Sequence, residues 1–269
     1  MSEQPTEPLN YASYLRLDDL LGLQMCASDG PGGPEHDETL FIIIHQTYEL
    51  WFKHILHEID HLQKLFQEDE ISHVQHTFKR VLTVLKVLVS QVDILETMTP
   101  IEFLSFRDRL ESGSGFQSAQ FRALEFKLGL KRESAVKHYP MGSSGYVMLE
   151  RRFREPSLWD SFLHYLASRG HPVPKDLLER DVTQAVEPSE PLQQVLIEAY
   201  RKDLVARDLC ERMVDLDEGV QEWRYRHVLM VERTIGFKRG TGGSAGAAYL
   251  RETLFRHAFP DLWTIRTEL

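Results

Sequence analysis

DETLFIIIHQTYELWFKHILHEIDHLQKLFQE, residues 37–68, decides the fold class. Apolar side chains recur at Phe41, Ile44, Tyr48, Phe52, Ile55, Ile59 and Leu62, in steps of three and four. At about 100° per residue they share one face of a helix. The opposite face carries Lys53, His54, His57, Asp60, His61 and Lys64. That is a solvated face rather than a ligand set, because charged and amphipathic side chains crowd the outer side of such helices.

The same pattern extends outward in both directions. Residues 72–97 repeat it through Val74, Phe78, Val81, Leu85, Leu88, Val92 and Leu95. Thr99-Pro100-Ile101-Glu102 combines a cap, a first-position proline and a capping-box acid, which predicts a helix start. Helices are expected over 119–128, after Pro156 and Pro174, and after Gly246. From Pro191 to Gly236 the only internal glycine is Gly219 and no further proline occurs. This run predicts one very long helix, or two joined near Leu216. Upstream, YASYLRLDDLLGLQMC (11–26) has helical spacing, and SDGPGGP (28–34) reads as a mobile loop. No stretch alternates at period two and no repeat appears. The expected architecture is all-α, a single domain of long packed helices over 11–269 behind a flexible tail, 1–10. Helices of this length leave apolar surface for a partner subunit, so an oligomer is expected.

Composition narrows the function. The 269 residues are 42% hydrophobic, enough for a large core. A formal charge of -10, from 41 acidic against 31 basic side chains, argues against a nucleic-acid partner. Two cysteines, Cys26 and Cys210, cannot make a disulfide framework and point to a reducing compartment. The opening MSEQPTEPLN is polar and acidic, unlike a signal peptide. No apolar run approaches the roughly 20 residues that cross a bilayer. A cytoplasmic protein with no membrane partner is expected.

Among the twelve histidines, His73 and His76 lie on a polar helix start, and His138, His164, His171 and His257 lack supporting neighbours. His45 and His227 differ, because each lies inside an apolar stripe. His45 follows Phe41 and precedes Tyr48 and Phe52; His227 follows Trp223 and precedes Met230 and Val231. Either alone is as readily a core histidine satisfied by one hydrogen bond. Two on separate long helices suit a cofactor held between them, and one neutral imidazole can hold a haem iron while the opposite face stays open. Arg107, between Phe103 and Leu110, covers apolar surface with its stem or offers a fork to a carboxylate. Lys238-Arg239-Gly240-Thr241-Gly242-Gly243-Ser244 is not a Walker-type loop, since its lysine precedes the glycines. Glycines leading into a helix still expose N–H groups that suit an anion, or simply connect two helices.

FIIIHQTYELWFK (41–53), ILETMTPIEFLSFRDRL (94–110), SGFQSAQFR (114–122) and WRYRHVLMVERTIGFKRGTGGSAG (223–246) together resemble the tryptophan 2,3-dioxygenase family. YASYLRLDDLL (11–21) and the terminal WTIRTEL are similar too, so the resemblance covers nearly the whole chain at the compact bacterial length. It implies a haem b enzyme that adds both atoms of O2 across the indole C2–C3 bond of L-tryptophan, giving N-formyl-L-kynurenine. By resemblance His227 would ligate the iron, with Ser114 near the haem edge. His45 would be the catalytic-side histidine that takes the indole N–H, and Phe41, Ile42, Ile43 and Ile44 would line the indole pocket. Arg107 would pair with the substrate carboxylate, and Thr241 would bond the amino-acid end as its loop closes. Tyr11, Tyr14 and Leu15 would reach a neighbouring subunit's pocket in a homotetramer. Phe103 stands where some members carry tyrosine, so one hydrogen bond to a charged group, about 1.5–3 kcal/mol, would be missing. The alternative activity is a haem monooxygenase acting on tryptophan or a substituted tryptophan.

Overall fold

The computed structural model describes residues 8–111, 113, 117–236, 238 and 247–269. The described chain is all-α. Two short helices, α1 (Tyr11–Leu15) and α2 (Leu17–Leu21), are followed by the long pair α3 (His36–Gln67) and α4 (Ile71–Leu95). A series of shorter helices comes next: α5 (Pro100–Arg107), α6 (Ala119–Lys127), α7 (Glu133–Lys137), α8 (Ser144–Arg154), α9 (Leu158–Ser168) and α10 (Lys175–Leu178). The chain closes with α11 (Glu190–Lys202), the long α12 (Leu204–Ile235), α13 (Ala247–Arg251) and α14 (Pro260–Thr264). Among the described residues there is no strand.

The α3 stripe is the spine of the core: Ile55, Ile59 and Leu62 are fully buried. It packs against α4, α6 and α9, while α4 also lies along α12. Gly219 permits that last approach, since a Cβ there would sit 3.2 Å from Leu85 Cδ1 of α4. Thr99 and Glu102 form the expected capping box at the start of α5.

The 191–236 run breaks in a different place from the sequence expectation. It divides at Asp203, and Leu216 lies fully buried inside uninterrupted α12. The cause is a cap: Asp203 Oδ1 accepts from the N–H groups of Val205 and Ala206 at 2.9 and 3.1 Å. Its other oxygen lies 3.2 Å from His171 Nε2, so His171 does have a supporting neighbour. So does His257, whose ring stacks on Trp263 at 4.5 Å. The 28–34 loop is also anchored at its start. Buried Glu38 accepts from the N–H groups of Ala27 and Ser28 and from the Ser28 hydroxyl. Burial pushes the Glu38 carboxyl up, but these bonds outweigh it and hold it below the usual range.

Candidate active site

Helices α3, α4, α6 and α12 enclose a cavity of about 400 Å3. His45 from α3 and His227 from α12 both line it, with Phe41, Phe52, Phe121 and Trp223 as aromatic walls. Two apolar stripes that are far apart in sequence thus place one imidazole each on the same space.

His45 Nδ1 lies 2.6 Å from the Phe41 carbonyl oxygen, one turn back. A carbonyl can only accept, so Nδ1 carries the hydrogen and Nε2 keeps its lone pair. Burial lowers the pKa of His45, against the pull of the Phe41 carbonyl and Glu49, and keeps the ring neutral. The ring packs on Phe41 at 4.2 Å. Phe41 in turn meets Phe103 and Phe106 of α5 at 5.6 and 5.5 Å.

His227 lies flat on Trp223, the residue one helical turn earlier, at 5.0 Å and 8°. Trp223 is wedged against Phe121 at 4.6 Å and meets Phe52 edge-on at 5.7 Å. Burial, with His45 and Arg122 adding to it, lowers the His227 pKa to about 4. A neutral buried imidazole is the form that binds a metal.

One end of the cavity is ionic, which the sequence reading missed. Glu125 takes Arg122 at 2.6 Å, Arg224 at 2.7 Å and Arg132 at 2.9 Å. Burial pushes the Glu125 carboxyl up, but the three guanidiniums outweigh it and hold it below its usual range. Arg122, Glu125 and Arg224 line this end of the cavity, together with Glu49. The signal was present in Arg122 and Glu125, three residues apart on one helix, and in Arg224 beside Trp223. Arginines in such positions read equally as surface residues until the fold is known.

The other anticipated residues separate. Ile44 is buried in the core and Ile43 is exposed; neither they nor Ile42 line the cavity. Four consecutive helical residues span too wide an arc to face one space. Phe103 is buried against Phe41, as a second layer behind the cavity wall. Arg107 ends α5, one residue after Phe106, and is half-buried. Tyr11, Tyr14 and Leu15 stand exposed on α1, at 76%, 72% and 42%. Ser114 and Thr241 lie outside the described residues.

The donor set limits what the cavity could hold. Among the described residues no group of three His, Cys, Asp or Glu side chains could bind a bare ion. A single imidazole would suit an iron that arrives with its other ligands already supplied by a macrocycle. Apolar walls and an arginine-rich end suit the faces and carboxylates of that macrocycle.

Comparison with known proteins identifies the family. The family model described as tryptophan 2,3-dioxygenase matches residues 2–144 and 192–269. A tryptophan 2,3-dioxygenase of Herpetosiphon aurantiacus is 55% identical over 264 residues, covering 98% of this chain and 100% of that protein. One from an Anaeromyxobacter species is 56% identical, over 97% of this chain and 96% of that protein. A more distant one, from Caulobacter vibrioides, is 44% identical over 98% of this chain and 99% of that protein. The chain belongs to the tryptophan 2,3-dioxygenase family.

Proposed function

We propose that this cavity binds haem b and L-tryptophan and that the protein adds both atoms of O2 to the indole C2–C3 bond, giving N-formyl-L-kynurenine. Dioxygenation is the activity in the relatives' names, and the monooxygenase alternative has no such support. The observation that carries the reading is the pair of neutral histidines from α3 and α12 on one cavity.

In this reading His227 would hold the haem iron, and Arg122 would balance a haem carboxylate. Bound ferrous haem supplies the oxygen chemistry. The chain's own work is to orient the substrate and keep water out. His45 accepts the indole N–H at Nε2, the lone pair left by its bond to the Phe41 carbonyl. Phe41 packs on the ring, and Phe103 and Phe106 hold Phe41 in place. Arg107 pairs with the carboxylate and Thr241 with the amino-acid end. Tyr11, Tyr14 and Leu15 cover a neighbouring subunit's pocket in a homotetramer, which accounts for three large apolar side chains left exposed on α1. No described helix is long and apolar enough to cross a membrane; a cytoplasmic location follows from the low cysteine content and acidic charge.

The deciding experiment is the absorption spectrum of the reduced protein with and without L-tryptophan, followed by product mass after turnover with labelled O2. A Soret band perturbed by tryptophan and a product carrying two labelled atoms are expected. His227→Ala removes the band. A haem-saturated His227→Ala protein would sink the ligand assignment, and a product with one labelled atom the dioxygenase reading.

A further inference from the structure

Glu125, Arg224 and Thr253 border a second chamber as well as the cavity described above. This chamber has a volume of about 300 Å3 and lies among the turn after α6, residues 185–188 and the segment leading into α14. One side is apolar, formed by Leu130, Val186, Pro188 and Pro260. That side is built firmly: the Val186 N–H donates to Gly129 O at 3.1 Å. Arg180, itself 2.6 Å from Asp160, donates to the Gln184 carbonyl at 3.0 Å.

The other side is cationic. Arg132, Arg224 and Arg256 border it, with Arg132 and Arg224 each paired to Glu125, and Glu187 stands at its exposed rim. Arg256 forms no ion pair among the described residues, and Lys131 is occupied by the carbonyls of Arg152, Phe153 and Glu155 at 2.6–2.9 Å. Two buried nitrogens, Arg224 Nε and His257 Nδ1, have no hydrogen-bond partner among the described residues. The nearest carboxylate oxygen to His257 Nδ1, Asp217 Oδ2, is 4.0 Å away. It already accepts from the N–H groups of Ala258 and Phe259 and from Trp263. A buried polar nitrogen left without a partner is costly, and the guanidinium N–H of Arg224 at Nε and the open Arg256 both suit an incoming carboxylate.

We propose that this chamber is a binding site for a small organic anion, a carboxylate on an apolar body, separate from the tryptophan cavity. The carboxylate meets Arg224, Arg256 and His257, and the body lies on Val186, Pro188 and Pro260. Because Arg224 and Glu125 also border the first cavity, an occupant here is in electrostatic contact with the oxygenase site.

The test uses the full-length, haem-loaded protein saturated with L-tryptophan, so that the first cavity is taken. Benzoate and inorganic phosphate are titrated by calorimetry. Benzoate is expected to bind once per chain and more tightly than phosphate. Arg256 and Glu187 are both exposed and border the chamber, so they can be changed without disturbing the core. Arg256→Glu should weaken benzoate by about tenfold or more, and Glu187→Lys should tighten it several-fold, opposite signs that misfolding would not produce. Absence of benzoate binding, binding of phosphate alone, or a Kd unmoved by both substitutions would overturn the site. Haem loading, followed separately in the Soret band, distinguishes that failure from failure of the haem reading.

Discussion

The imidazole of His227 and the indole of Trp223 lie parallel, 5.0 Å apart and inclined by 8°, one turn from each other on α12. The stack fixes the imidazole plane against the indole, and Phe121 and Phe52 hold the indole in turn. Trp223→Phe keeps an aromatic ring but loses half of this surface. Haem is expected to leave about tenfold faster from the variant, consistent with the roughly 0.5–1.5 kcal/mol of an aromatic pair. Haem transfer to an acceptor globin measures it; an unchanged transfer rate would show that the stack does not orient the ligand.

His45 offers Nε2 as an acceptor, so its loss should be felt most by substrates with an indole N–H. His45→Ala is expected to lower kcat/KM for L-tryptophan by about fivefold to a hundredfold, in line with about 1–3 kcal/mol for leaving a buried N–H unpaired. The loss should be smaller for 1-methyltryptophan, which has no such hydrogen. Equal losses for both substrates would remove the hydrogen-bond role.

Arg107→Leu tests the opposite end of the substrate. L-tryptophan binding should weaken by about tenfold to a hundredfold, the range for a charge-assisted bond. Tryptamine, which lacks the carboxylate, should be almost unaffected. Equilibrium titration of the two ligands against both proteins gives the comparison.

The two cavity histidines make the haem-free chain sensitive to acid. Burial lowers both, and His227 reaches about 4 from an ordinary 6.5. In the unfolded chain both rings protonate near the ordinary value, while the folded chain resists. The unfolded state therefore binds more protons in this window, and stability falls as pH drops from about 6.5 toward about 4. The melting temperature of the haem-free protein should decline between pH 7 and pH 5, and His227→Leu should flatten part of that decline. A His227→Leu profile with the same slope would contradict the assignment.

Asp203→Ala removes the side-chain cap of α12 and the partner of His171. The expected cost is about 1 kcal/mol, or a melting shift of roughly 2–4 °C for a chain of this size. Thermal unfolding followed by circular dichroism reads it, and an unchanged midpoint would mean that the break between α11 and α12 is maintained by packing alone.

The helices were legible because their apolar spacing is long and regular, as from Phe41 to Leu62. The break at Asp203 was not, because no glycine or proline marks it; the turn is made by a carboxylate capping two N–H groups. His45 and His227 could be singled out by the apolar residues around them, and the fold brings both to one cavity. The arginines around Glu125 could not, since they come from α6, from the turn after it and from α12, and only packing makes one cluster of them. Ile42, Ile43 and Ile44 come from the family resemblance alone, and periodicity could not rank them, since successive helical residues point about 100° apart.

Gly219 lies one turn before Trp223, where α12 presses on Leu85. A Cβ there would require the Leu85 side chain to give way slightly, so the missing Cβ keeps α4 and α12 close just before the turns that carry Trp223 and His227. Room for a bulkier indole can instead be sought where Phe41, a wall of the cavity, leans on Phe103 and Phe106. A redesign of substrate range would therefore begin by trimming those two phenylalanines and leave the seam untouched.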